Sequence, residues 1–92
     1  MAPDTEEYPY PCYVYILATL DGSRSYVGWT TNLEARLAAH NAGKGAKSTR
    51  GFTWRLVYSE SFRNKSDAMS REWYLKRDRV FRKKLLADMV CS

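Results

Sequence analysis

The chain has 92 residues, enough for one domain with one small core, since a chain of this size buries only about 60% of the surface its unfolded form exposes. No apolar run approaches the ~18 residues of a membrane span, and the acidic, Pro-rich start MAPDTEEYPYP has neither the basic nor the apolar segment of a secretory signal. Three acids lie in that start, so residues 12–92 carry 15 Lys or Arg against 7 Asp or Glu, a balance that points to a polyanion, nucleic acid first.

Residues 1–11 read as a flexible N-terminal arm, and residues 12–92 as a single domain. Cys12 to Thr19 is β-branched and aromatic and reads as a strand. Asp21-Gly22 is a hairpin turn signal, and Ser25 to Thr30 is the returning strand. By the two-residue period Tyr13, Tyr15 and Leu17 share one face, with Val14 and Ile16 on the other; Tyr26 and Gly28 likewise oppose Val27 and Trp29.

A helix follows through about Ala42, capped by Thr31 or Asn32 and stopped by Gly43. Leu33 and Leu37 form its apolar stripe. Arg36 and His40 are four residues apart and share a face. GKGAKSTRG is a basic, Gly-rich loop whose small residues would let backbone amides approach a phosphate; it lacks P-loop spacing. TWRLVYSESF is a third strand, with Trp54, Leu56 and Tyr58 alternating against Arg55, Val57 and Ser59. A second helix, capped by Ser66 or Asp67, runs to about Lys76 with Ala68, Met69, Trp73 and Leu75 as its apolar positions. A third covers about Asp78 to Met89, with Phe81, Leu85 and Met89 inward. The order ββαβαα predicts an α+β fold, a small three-stranded antiparallel sheet flanked by helices.

Cys12 and Cys91 form no CxxC unit, and with a single His they cannot build a usual zinc site. Two free thiols in a reducing cytoplasm are expected. Glu72 sits among the apolar positions of the second helix, where a carboxylate is costly unless paired, hydrogen-bonded or metal-bound. Lys76, at i+4, offers the ordinary salt bridge. Taken singly, Tyr15 and Tyr26 suit strand packing, and Arg36 and His40 suit the polar flank of a helix.

Taken in order, these residues make a set. YVY (Tyr13-Val14-Tyr15) and YVG (Tyr26-Val27-Gly28) stand ten residues apart; the helix with Arg36 and His40, the basic loop, a strand and the helix SDAMSREWYLKR with Glu72 follow. This order resembles the GIY-YIG nuclease domain over about residues 12–78, and NLEARLAAHNAGKGAKSTR looks like the helix and loop of its small stand-alone bacterial members. The first Gly of the family's namesake triplet is absent; the Tyr that ends it is present as Tyr15.

The resemblance implies a metal-dependent endonuclease that hydrolyses DNA phosphodiester bonds; its substrate is expected to be structured or damaged DNA in repair or recombination, DNA with weak preference, or DNA chosen by a partner. Glu72 would hold one Mg²⁺ or Mn²⁺, Tyr15 would be the general base, and His40 or the metal would depress the pKa of Tyr15 or take its proton. Arg36 would bind the scissile phosphate, and Tyr26 would orient the water or a metal ligand. Gly28 would leave space for the DNA backbone. Lys44, Lys47, Arg50 and Lys76 would contact flanking phosphates. DNA is the expected partner, with RNA the second candidate and a protein supplying specificity. The alternative is a nucleic-acid-binding module of the same fold without turnover.

Overall fold

In the computed structural model, backbone is described for residues 7–91 and side chains for residues 11–88. The elements are β1 (Glu7–Thr19), β2 (Ser25–Thr30), α1 (Leu33–Asn41), a short 3-10 turn (Lys47–Thr49), β3 (Trp54–Asn64), α2 (Lys65–Arg77) and α3 (Arg79–Cys91). The order is the expected ββαβαα, with one antiparallel sheet of strand order β2-β1-β3. Among the described residues no helix is long and apolar enough to cross a membrane.

β1 lies in the middle, which is why its run from Cys12 to Thr19 is almost wholly buried. Its register with β2 pairs Tyr15 with Gly28, Ile16 with Val27 and Leu17 with Tyr26. Paired residues share a face, so the alternation expected for the hairpin holds. On the Tyr15 face, Leu33 and Leu37 of α1 pack against Tyr15, Leu17 and Trp54. On the opposite face, α2 and α3 cover Val14, Ile16 and Val27 with Ala68, Leu75, Phe81 and Leu85. The sheet is thus a partition, with different chemistry on its two sides.

Four expectations need correction. β1 starts at Glu7, inside the stretch read as an arm; residues 1–6 lie outside the described residues. β2 ends opposite Tyr13, so the earlier part of β1 has a strand on one side only, where a proline's missing N–H costs no ladder bond. In β3, Ile16 pairs with Tyr58 but Leu17 pairs with Leu56, leaving Val57 as an extra residue. That bulge puts Leu56 and Tyr58 on opposite faces, where strict alternation predicted one. α2 is capped by Asn64, whose side chain accepts from the Asp67 amide, rather than by Ser66 or Asp67. Its buried positions are Ala68 and Leu75, while Met69 and Trp73 face solvent.

The remaining expectations divide. The cap of α1 is Asn32, accepting from the Ala35 amide. Asp21 binds the Thr19 hydroxyl and the Ser23 amide and hydroxyl, closing the hairpin beside Gly22, whose φ of 74° is left-handed. Cys12 is a buried free thiol, which burial pushes above its ordinary value. The Met89 and Cys91 side chains lie outside the described residues.

Candidate active site

Tyr15 is nearly sealed in the centre of the sheet, at 2% exposure. Its room comes from across the hairpin: a Cβ on Gly28 would stand 2.7 Å from the Tyr15 hydroxyl, 2.9 Å from Cζ and 3.0 Å from Tyr26 Cε2. Gly28 therefore makes space for the Tyr15 ring. Tyr26 lies beside that ring, with centroids 6.3 Å apart, and His40 sits 4.8 Å from Tyr26.

His40 is completely buried and has a partner on each nitrogen. Its Nε2 is 3.0 Å from the Tyr15 hydroxyl, and its Nδ1 is 2.8 Å from Thr49 Oγ1. Thr49 donates its only hydroxyl proton to the Ala46 carbonyl at 2.8 Å, so towards Nδ1 it can only accept. The network thus assigns the imidazole proton to Nδ1. Nε2 keeps a lone pair, and the Tyr15 hydroxyl donates to it. The loop that supplies Thr49 is held by Trp54, whose indole N–H donates to the Thr49 carbonyl, and by Asn41, which exchanges two hydrogen bonds with the Trp54 backbone. Gly45 lets this loop close, because a Cβ there would overlap the His40 ring. The loop's tightest glycine thus makes room for an imidazole.

The electrostatics follow from this burial. Desolvation pushes Tyr15 above its ordinary value; Tyr26 and Glu72 add to that, while the Arg36 contact and charge oppose it. Arg36 makes polar contacts with Tyr15 and, more weakly, Tyr26, and the first of these is the main reason it holds its proton more firmly than usual. Desolvation and then the Arg36 charge hold His40 below its ordinary value, so it is neutral near pH 7.

The His40 shift fixes a stability window. As pH falls through 6.5 the unfolded chain protonates its His while the folded chain does not, so stability falls with pH below 6.5. The melting temperature of the wild type should decline across that range, and His40→Gln should flatten the decline. An equal slope in the variant would contradict a buried neutral His40. Asp21, held at about 2 by the hydrogen bonds from Ser23 and Thr19, adds a separate loss only as pH drops below 3.8.

Glu72 shares the inward face of α2 with Ala68 and Leu75, at i−4 and i+3. Its inward position is as expected, but its neighbours are not Met69 and Trp73. Its carboxylate is one-fifth exposed, carries the Lys76 ion pair at 3.4 Å and still acts on Tyr15. Lys44, Lys47 and Arg50 are exposed on and beside the 3-10 turn, and Lys76 is exposed on α2. Sequence reading missed Asn41, Gly45, Thr49 and Trp54 as parts of the site. Their role depends on loop closure, and a Thr in KSTR carries no signal of it.

Fit to a divalent cation is a matter of donor chemistry. Among the described residues no group of three or more His, Cys, Asp and Glu could form a closed metal site. A lone carboxylate such as Glu72 suits Mg²⁺ or Mn²⁺, hard ions that keep much of their water and take ligands from substrate phosphate.

The GIY-YIG catalytic domain profile matches residues 11–84. The UPF0213 protein CPE1444 of Clostridium perfringens is 58% identical over 66 residues, covering 71% of this chain and 70% of that one. A UPF0213 protein of Natronomonas pharaonis is 49% identical over 78 residues, 83% of this chain and 91% of that one. The solution NMR structure of the UPF0213 protein BH0048 from Bacillus halodurans is 42% identical, covers 84% of this chain and 83% of its own, and has a TM-score of 0.49.

Proposed function

The chain belongs to the GIY-YIG catalytic-domain family, and from that premise we propose that it is a metal-dependent nuclease hydrolysing DNA phosphodiester bonds. The observation that carries this is the hydrogen-bonded line Tyr15–His40–Thr49, with Arg36 against the Tyr15 hydroxyl and the Glu72 charge acting on it. Burial makes a standing phenolate at Tyr15 costly. The proton must therefore leave as another arrives: Tyr15 passes its proton to the bare Nε2 of His40 and takes one from the attacking water. His40 becomes an imidazolium whose Nδ1–H still donates to Thr49 Oγ1. Arg36 stabilises the transient phenolate and grips the scissile phosphate. Tyr26, less buried than Tyr15, orients the water.

Glu72 would hold the Mg²⁺ or Mn²⁺ in this reading, in place of its ion pair with Lys76. The chemistry such a cation would supply when bound is neutralisation of phosphate charge and stabilisation of the leaving oxygen. Lys44, Lys47 and Arg50 bind flanking phosphates, which position the strand without reading its sequence. Lys47→Ala should weaken binding equally for all sequences and lower the salt slope by about one. An unchanged slope would remove this loop from the footprint.

One observation favours a binding module without turnover: Glu72 is already ion-paired to Lys76. The test is a panel of labelled single-stranded, duplex, flap and junction DNAs, incubated with Mg²⁺ and with chelator. Product that forms only with Mg²⁺ supports the nuclease. Binding to the same DNAs with no product under either condition would support the binding module.

A further inference from the structure

We infer that the outer face of α2 is a stacking platform for unpaired bases, so that the nucleic acid this chain takes carries a single-stranded segment. Met69, Trp73 and Tyr74 are 44%, 51% and 60% exposed on that helix. They border a cleft of about 450 Å³, with Ser66 and Ser70 on its rim. Helical geometry sets the order around the axis. Starting from Glu72 at about 100° per residue, Lys76 lies about 40° away, Met69 about 60°, Trp73 about 100° and Arg77 about 140°. A strand leaving Glu72 across this face meets a cation, then an apolar ledge and an indole, then a second cation.

The chemistry of the ledge suits unpaired bases on a polyanionic strand. The Arg77 guanidinium lies 3.7 Å from the Trp73 ring centroid and Tyr74 stands edge-on to it, with ring centroids 5.0 Å apart, so the indole is held by its neighbours. Residues 63–84 carry nine Lys or Arg against three acids. A basic groove with held aromatic rings is the arrangement that binds single strands. Bases inside a duplex are stacked on each other and cannot reach an indole. Resting on the nuclease reading for its link to Glu72, the platform makes strands with unpaired nucleotides, flaps and single-stranded tails, the substrate class.

The test is equilibrium binding of the full chain, without Mg²⁺, to a short oligothymidylate, an abasic strand of the same length and a duplex. Wild type should favour the thymidylate over the abasic strand by about tenfold, within the range for base–aromatic stacking. Trp73→Ala should erase that preference, and Trp73→Phe should restore most of it. Glu72→Gln should keep it, so the base preference is measured independently of turnover; a wild type that shows the preference yet yields no product with Mg²⁺ would sink the nuclease reading alone. Equal affinity of wild type for thymidylate and abasic strands would overturn the platform. So would a base preference surviving in Trp73→Ala, or a wild-type dimer that Trp73→Ala dissociates with no change in base preference.

Discussion

Tyr15→Phe is expected to lower DNA cleavage by about 10² to 10⁴, the usual worth of a positioned general base. The ring stays, so packing of Leu17, Trp54 and α1 is kept. The lost hydroxyl has a second effect. Among the described residues Nε2 of fully buried His40 has no other hydrogen-bond partner, and an unsatisfied buried acceptor costs about 1–3 kcal/mol. For a domain this size each kcal/mol lowers the melting temperature by roughly 4–8 °C. The variant should therefore be folded, measurably less stable and nearly inactive. Circular dichroism melting and single-turnover cleavage at a temperature well below the melt separate the two effects. A Tyr15→Phe protein that cleaves at the wild-type rate would remove Tyr15 from the chemistry.

Gly28→Ala should act on the same residue from the other strand. Its Cβ would stand 2.7 Å from the Tyr15 hydroxyl and 2.9 Å from the ring. The ring is enclosed and cannot swing away, so either the hairpin opens or the hydroxyl leaves His40. Overpacking of this kind costs about 1–3 kcal/mol, and a shift of about 1 Å in a reacting group costs on the order of a hundredfold in rate. Chemical denaturation and cleavage kinetics check both. If the Gly28→Ala protein keeps wild-type stability and rate, Gly28 is not there for Tyr15.

Sequence carried the hairpin and its two faces because a two-residue period holds wherever a strand is regular. It failed in β3 at Val57, since a bulge is set by the partner strand and leaves no local mark. In α2 residue type misled: Met69 and Trp73 are apolar and exposed, while Ala68 and Leu75, seven positions apart, make the buried seam. Glu72 faces inward beside Ala68 and Leu75, a seam that residue type does not mark. Gly28 was visible as a required glycine, but what it makes room for is a ring across the strand pair. Thr49 and Asn41 were illegible because both act through contacts that exist only once the loop has folded over His40: Thr49 on an imidazole and a carbonyl, Asn41 on the Trp54 backbone. The Tyr15 and Tyr26 triplets, Arg36 and His40 were legible as a set in chain order, and the fold brings those four together.

The most direct measurement is a side-by-side assay of wild type and Glu72→Gln, purified in parallel and incubated with one labelled flap DNA in Mg²⁺. Glu72→Gln removes a partly exposed charge whose i,i+4 pair with Lys76 contributes only about 0.3–0.5 kcal/mol, so its melting temperature should match wild type closely. Wild type should yield Mg²⁺-dependent product, and the folded variant should lose at least about a hundredfold in rate, as expected on removing one electrostatic element of a hydrolytic site. Equal product from the two proteins would contradict the assignment of Glu72, and with it the hydrolytic site built around Tyr15.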